Sequence, residues 1–193
     1  MNTFGNNNLI NIGGDESDEF YRYKMPKINT QITGKGNGIQ TVLTNIKDVA
    51  SAIEHPLDVI TKYLSFTLGS NYYPEKNFLT GKHLVQDIQK YIMEYINTFV
   101  LCDSCKNPET IFSVEGKKKN IELYIQCASC GYRTKIVTGG KKEEKKKIIS
   151  GKANHRLVHF LEKYIKENPM EFSCEKQAYQ KEVNLDGNGF DDL

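Results

Sequence analysis

Apolar side chains recur at three- and four-residue steps along several stretches of the chain, and that is the period of a helix. The strongest pattern covers residues 82–98, where Leu84, Ile88, Ile92 and Tyr95 lead on to Phe99 along one face. A second helix fits 153–166, with Leu157, Phe160, Leu161, Tyr164 and Ile165 on one side and Pro169 as its stop. A third begins at Pro56, carries Val59, Ile60, Tyr63 and Leu64, and ends at Gly69. Asp48 is placed to cap a short helix over Val49 to Glu54. Elsewhere the pattern alternates, as in a strand: Ile28, Thr30, Ile32, then Thr41 to Ile46. Residues 71–77 are turn-like, and Phe78-Leu79 is a short strand remnant. Further along, 110–115, 121–126 and 132–137 read as three strands joined by short turns. The mixture predicts an α+β fold.

Composition divides this pattern into parts. Hydrophobic residues are 38% of the chain and charged residues 26%, which is globular but on the polar side. No apolar run approaches the roughly 18–20 residues that a membrane span requires, and the Asn- and Gly-rich start lacks the basic and apolar blocks of a secretion signal. These features predict a cytoplasmic protein with no membrane partner. Residues 1–19 hold four acids and no base, and 167–193 hold seven acids against two bases, while the middle of the chain is basic. A basic middle favours a polyanionic partner such as RNA, or else simply keeps the surface soluble. The chain therefore divides into an acidic, disordered tail over 1–19, an α/β subdomain over 20–98, a third part over 99–138, a basic linker over 139–152 that holds the run Lys141 to Lys147, a C-terminal helix over 153–169, and a second acidic, disordered tail over 170–193.

The third part carries the clearest chemistry. Cys102-x2-Cys105 and Cys127-x2-Cys130 are separated by twenty-one residues. Each closely spaced pair can wrap a tight knuckle, and two pairs supply the four thiolates of a tetrahedral zinc site. Two knuckles with a small sheet make a zinc ribbon, and zinc would staple a segment too short to bury much apolar surface. Four cysteine ligands leave no open position for catalysis, so the zinc is structural. The alternative is two disulfides, but nothing else in the chain points to an oxidising compartment. Cys174 is left over as a free thiol.

Two further motifs bear on function. In Phe20-Tyr21-Arg22-Tyr23-Lys24-Met25-Pro26, an arginine stands between tyrosines. Its planar, permanently charged guanidinium matches phosphate oxygens and could be inserted into a partner's active site. The alternative is that Arg22 faces water at the start of a strand. Gly34-Lys35-Gly36-Asn37-Gly38 lacks the Gly-Lys-Ser/Thr ending of a nucleotide-binding loop, so its glycines permit a tight excursion beside backbone or phosphate. Lys35 and Asn37 are candidate RNA contacts there, and Lys117, Lys118 and Lys119 at the hairpin tip are candidates too. His55, His83, His155 and His159 are scattered and read as structural or exposed.

Phe20 to Pro26, Gly34 to Ile39, Phe99 to Thr110 and Cys127 to Arg133, with His155-Arg156-Leu157 and Phe160-Leu161 beyond, together resemble the N-terminal domain of eukaryotic translation initiation factor 5, in the initiation factor 2 beta and factor 5 family. The resemblance covers about residues 20–169. It implies an α/β subdomain similar to initiation factor 1, followed by a four-cysteine zinc ribbon and a C-terminal helix. It also implies a monomer that is not itself an enzyme but promotes GTP hydrolysis by initiation factor 2, bound through its gamma subunit, on the small ribosomal subunit. The place of action is beside initiator tRNA and mRNA at the start codon. The family's essential arginine falls at Arg22, a supporting lysine at Lys62, and the RNA-facing loop at Gly34 to Ile39. Two departures stand out: Gln40 occupies a position where the family usually has a second supporting lysine, and no helical-repeat domain follows before Leu193. These leave a second implication open, a ribosome- and initiator-tRNA-binding module without activator work. It would be either a subunit like the beta subunit of initiation factor 2 or a competitor of the full-length factor.

Overall fold

In the computed structural model, described over residues 8–116, 122–138 and 146–168, Ile10 faces Met25 across the first strand pair. These strands are β1 (Leu9–Asn11) and β2 (Lys24–Pro26), which run antiparallel. The next sheet has the order β3-β4-β6-β5, from β3 (Thr30–Thr33), β4 (Gln40–Leu43), β5 (Tyr72–Tyr73) and β6 (Phe78–Thr80), with every neighbour antiparallel. Between β4 and β5 lie α1 (Ile46–Ile53) and α2 (Leu57–Leu68). The helix α3 (Val85–Tyr95) runs straight on into a wider π turn over Ile96–Val100. Leu84 is the N-cap of α3 and stays 55% exposed, so the apolar face starts one turn later than the periodicity placed it.

The ribbon sheet consists of β7 (Thr110–Glu115), β8 (Glu122–Cys127), β9 (Arg133–Thr138) and β10 (Lys146–Ile149). The first three form an antiparallel meander, while β10 lies parallel to β9. The last element, α4 (Lys152–Glu167), packs on α2 and also reaches β7, β8 and β9. Leu157, Val158, Leu161 and Ile165 form its buried side.

The α/β part and the ribbon share one core. It runs from Ile12 and Met25 through Leu43, Leu64, Ile92 and Phe99 to Phe112, Ile125, Ile136 and Leu161. His55 stands at the junction, fully buried against Tyr95 and Phe112. A single neutral tautomer satisfies both ring nitrogens: the Tyr95 hydroxyl donates to Nδ1 at 2.7 Å, and Nε2–H donates to the Thr110 carbonyl at 3.1 Å. Burial holds this imidazole down to about 4, against an ordinary value of 6.5.

Two segments depart from the expectation of disorder or linker. Within 1–19, Leu9–Asn11 is a strand and Ile12 is 1% exposed, because Ile10 and Ile12 bring apolar surface that the surrounding Asn and Gly mask in a composition average. Within 139–152, Lys146–Ile149 is a strand whose Ile149 is buried, and the Lys147 ammonium sits 2.8 Å from the Asp103 carboxylate. No helix among the described residues is long and apolar enough to cross a membrane.

Candidate metal centre and an arginine-bearing loop

Each cysteine pair is wrapped by the same backbone device. The Lys106 N–H donates to the Cys102 carbonyl and the Gly131 N–H to the Cys127 carbonyl, both at 3.0 Å. Both donor residues lie in the left-handed region, Lys106 at φ 61° and Gly131 at φ 73°. The knuckles are also joined to each other: the Ala128 N–H donates to the Glu109 carbonyl at 2.7 Å, and the Asn107 amide to the Ser129 hydroxyl at 2.9 Å.

The four Sγ atoms all lie within 4.8 Å of one another, with Cys102–Cys130 and Cys105–Cys127 both at 3.7 Å. A disulfide needs about 2.05 Å, whereas a tetrahedron of zinc–sulfur bonds of about 2.3 Å has edges of about 3.8 Å. The cluster therefore fits a tetrahedral metal of that size. As thiols the four differ. Burial raises Cys102 and pushes Cys127 up to about 12, while the backbone N–H of Tyr132 draws Cys130 down to about 7. A cation at the centre would favour all four as thiolates and displace their protons.

Arg22 lies on the loop between β1 and β2, and this loop is tightly held. The buried Asn11 amide donates to the carbonyls of Asp15 and Asp18, at 2.7 and 2.9 Å. The Asp18 carboxylate accepts the Phe20 N–H at 2.9 Å. Side chains then alternate, with Phe20 95% exposed and Arg22 exposed, while Tyr21 and Tyr23 are half-buried. The Tyr23 hydroxyl donates to the Glu109 carboxylate, which holds the phenol up to about 12. Among the described residues Arg22 makes no ion pair. Its guanidinium carbon is 5.5 Å from the Tyr23 ring centroid.

The remaining candidates lie apart. Lys35 and Asn37 are exposed at the β3–β4 turn, where Gly36–Gly38 forms a 3-10 turn. Gly34 is required there, since at φ 83° an added Cβ would stand 2.1 Å from the Gly38 carbonyl oxygen. Lys62 on α2 lies over the rings of Phe66 and Phe160, at 5.3 and 5.6 Å, beside Arg156 stacked on Phe66 at 4.3 Å. It shares none of these neighbours with Arg22. Lys117, Lys118 and Lys119 fall outside the described residues, as does Cys174. Sequence reasoning missed Asn11, Glu109 and the Lys147–Asp103 pair. Only Asn11, set between two isoleucines, carried a local signal.

A small α+β domain fused through a common core to a four-cysteine ribbon defines the class. The model of the domain found in initiation factors 2B and 5 matches residues 14–133, and the chain belongs to that family. It is 41% identical over 128 residues to the probable eukaryotic translation initiation factor 5 of Schizosaccharomyces pombe, covering 64% of this chain and 32% of that protein. Against eukaryotic translation initiation factor 5 of Mus musculus the identity is 40% over 136 residues, or 68% of this chain and 31% of the relative. The Saccharomyces cerevisiae factor is 40% identical over 129 residues, with 65% and 31% covered. The chain thus spans about a third of the length of these curated relatives, as expected of an N-terminal factor 5 domain.

Proposed function

We propose that this domain acts in translation initiation in the cytoplasm, as an activator of a partner GTPase and not as an enzyme itself. The partner is initiation factor 2 carrying GTP on the small ribosomal subunit, and Arg22 is the group supplied in trans. The observation that carries this reading is an exposed arginine, with no ion pair among the described residues, presented by a loop pinned on both sides. A guanidinium placed against the transferring phosphoryl group stabilises charge that develops there, an effect of roughly 10³–10⁵ in rate. Phe20 beside it offers apolar contact to the partner.

Zinc held by Cys102, Cys105, Cys127 and Cys130 is structural in this reading. Lys62 is a supporting cation that acts from the α2–α4 face. Lys35 and Asn37, with Lys117, Lys118 and Lys119, meet the phosphates and sugars of initiator tRNA, mRNA or ribosomal RNA, which makes binding fall steeply with salt. Single-turnover hydrolysis of GTP on reconstituted initiation complexes tests the proposal: the rate should rise with the concentration of this chain. A chain that binds the complexes and leaves the rate unchanged would be a binding module, and the activator reading would be wrong.

A further inference from the structure

The Arg22 loop is attached to the ribbon, not to the strands that carry it alone, and the attachment is specific. Glu109, the acceptor of the Tyr23 hydroxyl, lies 86 residues further along the chain. Its own backbone is fixed on both sides: its carbonyl accepts the Ala128 N–H of the second knuckle, and the next residue, Thr110, is buried with its hydroxyl donating to the Val100 carbonyl at 2.6 Å. Tyr21 packs within its own loop. Its ring lies over Gly14, where an added Cβ would be 2.8 Å from a ring carbon. A Cβ on Gly13 would meet both the Tyr21 hydroxyl, at 3.1 Å, and Leu101, at 3.0 Å. Leu101 and Glu109 flank the first cysteine knuckle. Tyr23 is therefore tied to a residue beside that knuckle, Tyr21 is packed on Gly13 and Gly14, and the residue between them is exposed.

We propose that Tyr23 and Glu109 are positioning residues for Arg22. Their hydrogen bond ties the loop to the first knuckle, and the aim of the guanidinium depends on that tie. The inference rests on the activator reading above. Its physical basis is preorganisation: a group held in its working pose before docking does not spend binding free energy on being ordered, and a displacement of about 1 Å at the reacting centre can cost about 10²-fold in rate. The raised phenol of Tyr23 agrees with a proton kept on that oxygen and shared with the carboxylate.

The test uses the full chain in stimulated single-turnover GTP hydrolysis, with Tyr23→Phe, Glu109→Ala, the pair combined, Glu109→Gln and Arg22→Ala. Amide hydrogen exchange over residues 13–23 is measured on the same samples. Tyr23→Phe and Glu109→Ala should each lower the maximal stimulated rate about ten-fold, with the half-saturating concentration unchanged. The combined variant should be no slower than either alone, because both remove one bond. Glu109→Gln keeps an acceptor oxygen and should keep most of the rate. Exchange over 13–23 should rise in Tyr23→Phe and Glu109→Ala and stay at the wild-type level in Glu109→Gln. Wild-type exchange in Tyr23→Phe and Glu109→Ala overturns the proposal, as does a wild-type rate in both while Arg22→Ala is inactive. If Arg22→Ala itself keeps the wild-type rate, Arg22 is not the group supplied in trans and this inference falls with it; if the wild-type chain gives no stimulation, the activator reading fails.

Discussion

In the α/β half, Ile46, Val49, Ile60, Leu64, Leu79, Ile88 and Ile92 are all at most 1% exposed, sealed between three helices and a sheet. In the ribbon half, the sheet contributes Phe112, Leu123, Ile125, Ile136 and Ile149 as its main buried apolar side chains, with α4 across them. The first half can hold itself by burial, at about 25 cal/mol per Å² of apolar surface removed from water. The second has too little surface for that and collects four thiols within 4.8 Å instead. The outward arginine is carried by the first half, and its neighbour Tyr23 is bonded to Glu109 beside the first cysteine knuckle of the second; a knuckle that holds a metal would be rigid at small size.

The contrast breaks most visibly on metal removal. Zinc sites of this kind contribute on the order of 10 kcal/mol to folding, so chelation should unfold β7 to β9 while α1 to α3 keep their helical signal. Zinc content by mass spectrometry should fall from one per chain to none, and backbone NMR should locate the loss. Equal loss of both halves would mean that the α/β half depends on the ribbon. A Cys→Ser change at all four positions that leaves the zinc content unaltered would remove the metal assignment.

A smaller effect is expected at the junction. The His55 imidazole is depressed to about 4 in the fold against 6.5 when unperturbed. Between those values the unfolded chain binds the proton and the folded chain does not, so stability is retained above pH 6.5 and lost as pH falls towards 4. The loss is on the order of 3 kcal/mol. Denaturant titrations at a series of pH values should show this slope in the wild type and a flatter one in His55→Gln. The same slope in both would shift the origin to other groups.

The smallest effect concerns the second cation. Lys62→Ala removes contacts with two aromatic rings, worth about 0.5–1 kcal/mol at a partly exposed site. Thermal unfolding should shift down by about 1–4 °C, whereas Arg22→Ala, which loses one ring contact on an exposed loop, should barely move it. A larger shift for Arg22→Ala than for Lys62→Ala would mean that the Arg22 loop carries stability and is not simply a platform.

Much of this architecture was legible in the order of the residues, because its causes are local. The helices α2, α3 and α4 follow from apolar spacing with Pro56, Gly69 and Pro169 as punctuation, and the ribbon hairpin follows from the two Cys-x-x-Cys pairs. What was hidden depends on distant partners. β1 is a strand because β2 lies opposite it, and β10 because β9 offers a free edge. Tyr23 and Glu109 meet only because the ribbon folds back on the first strand pair. Lys62 was singled out by the resemblance alone, and Arg22 by the resemblance and its place between two tyrosines. Their settings were not legible, since exposure on a pinned loop and contact with two rings both arise from packing.

The most direct test of the account is the stimulated rate of GTP hydrolysis by initiation factor 2 with wild-type chain and with Arg22→Ala, in samples matched for zinc content and for binding to the small ribosomal subunit. The account expects binding to be kept and stimulation to fall by about 10³-fold or more. Stimulation that survives in Arg22→Ala would contradict it.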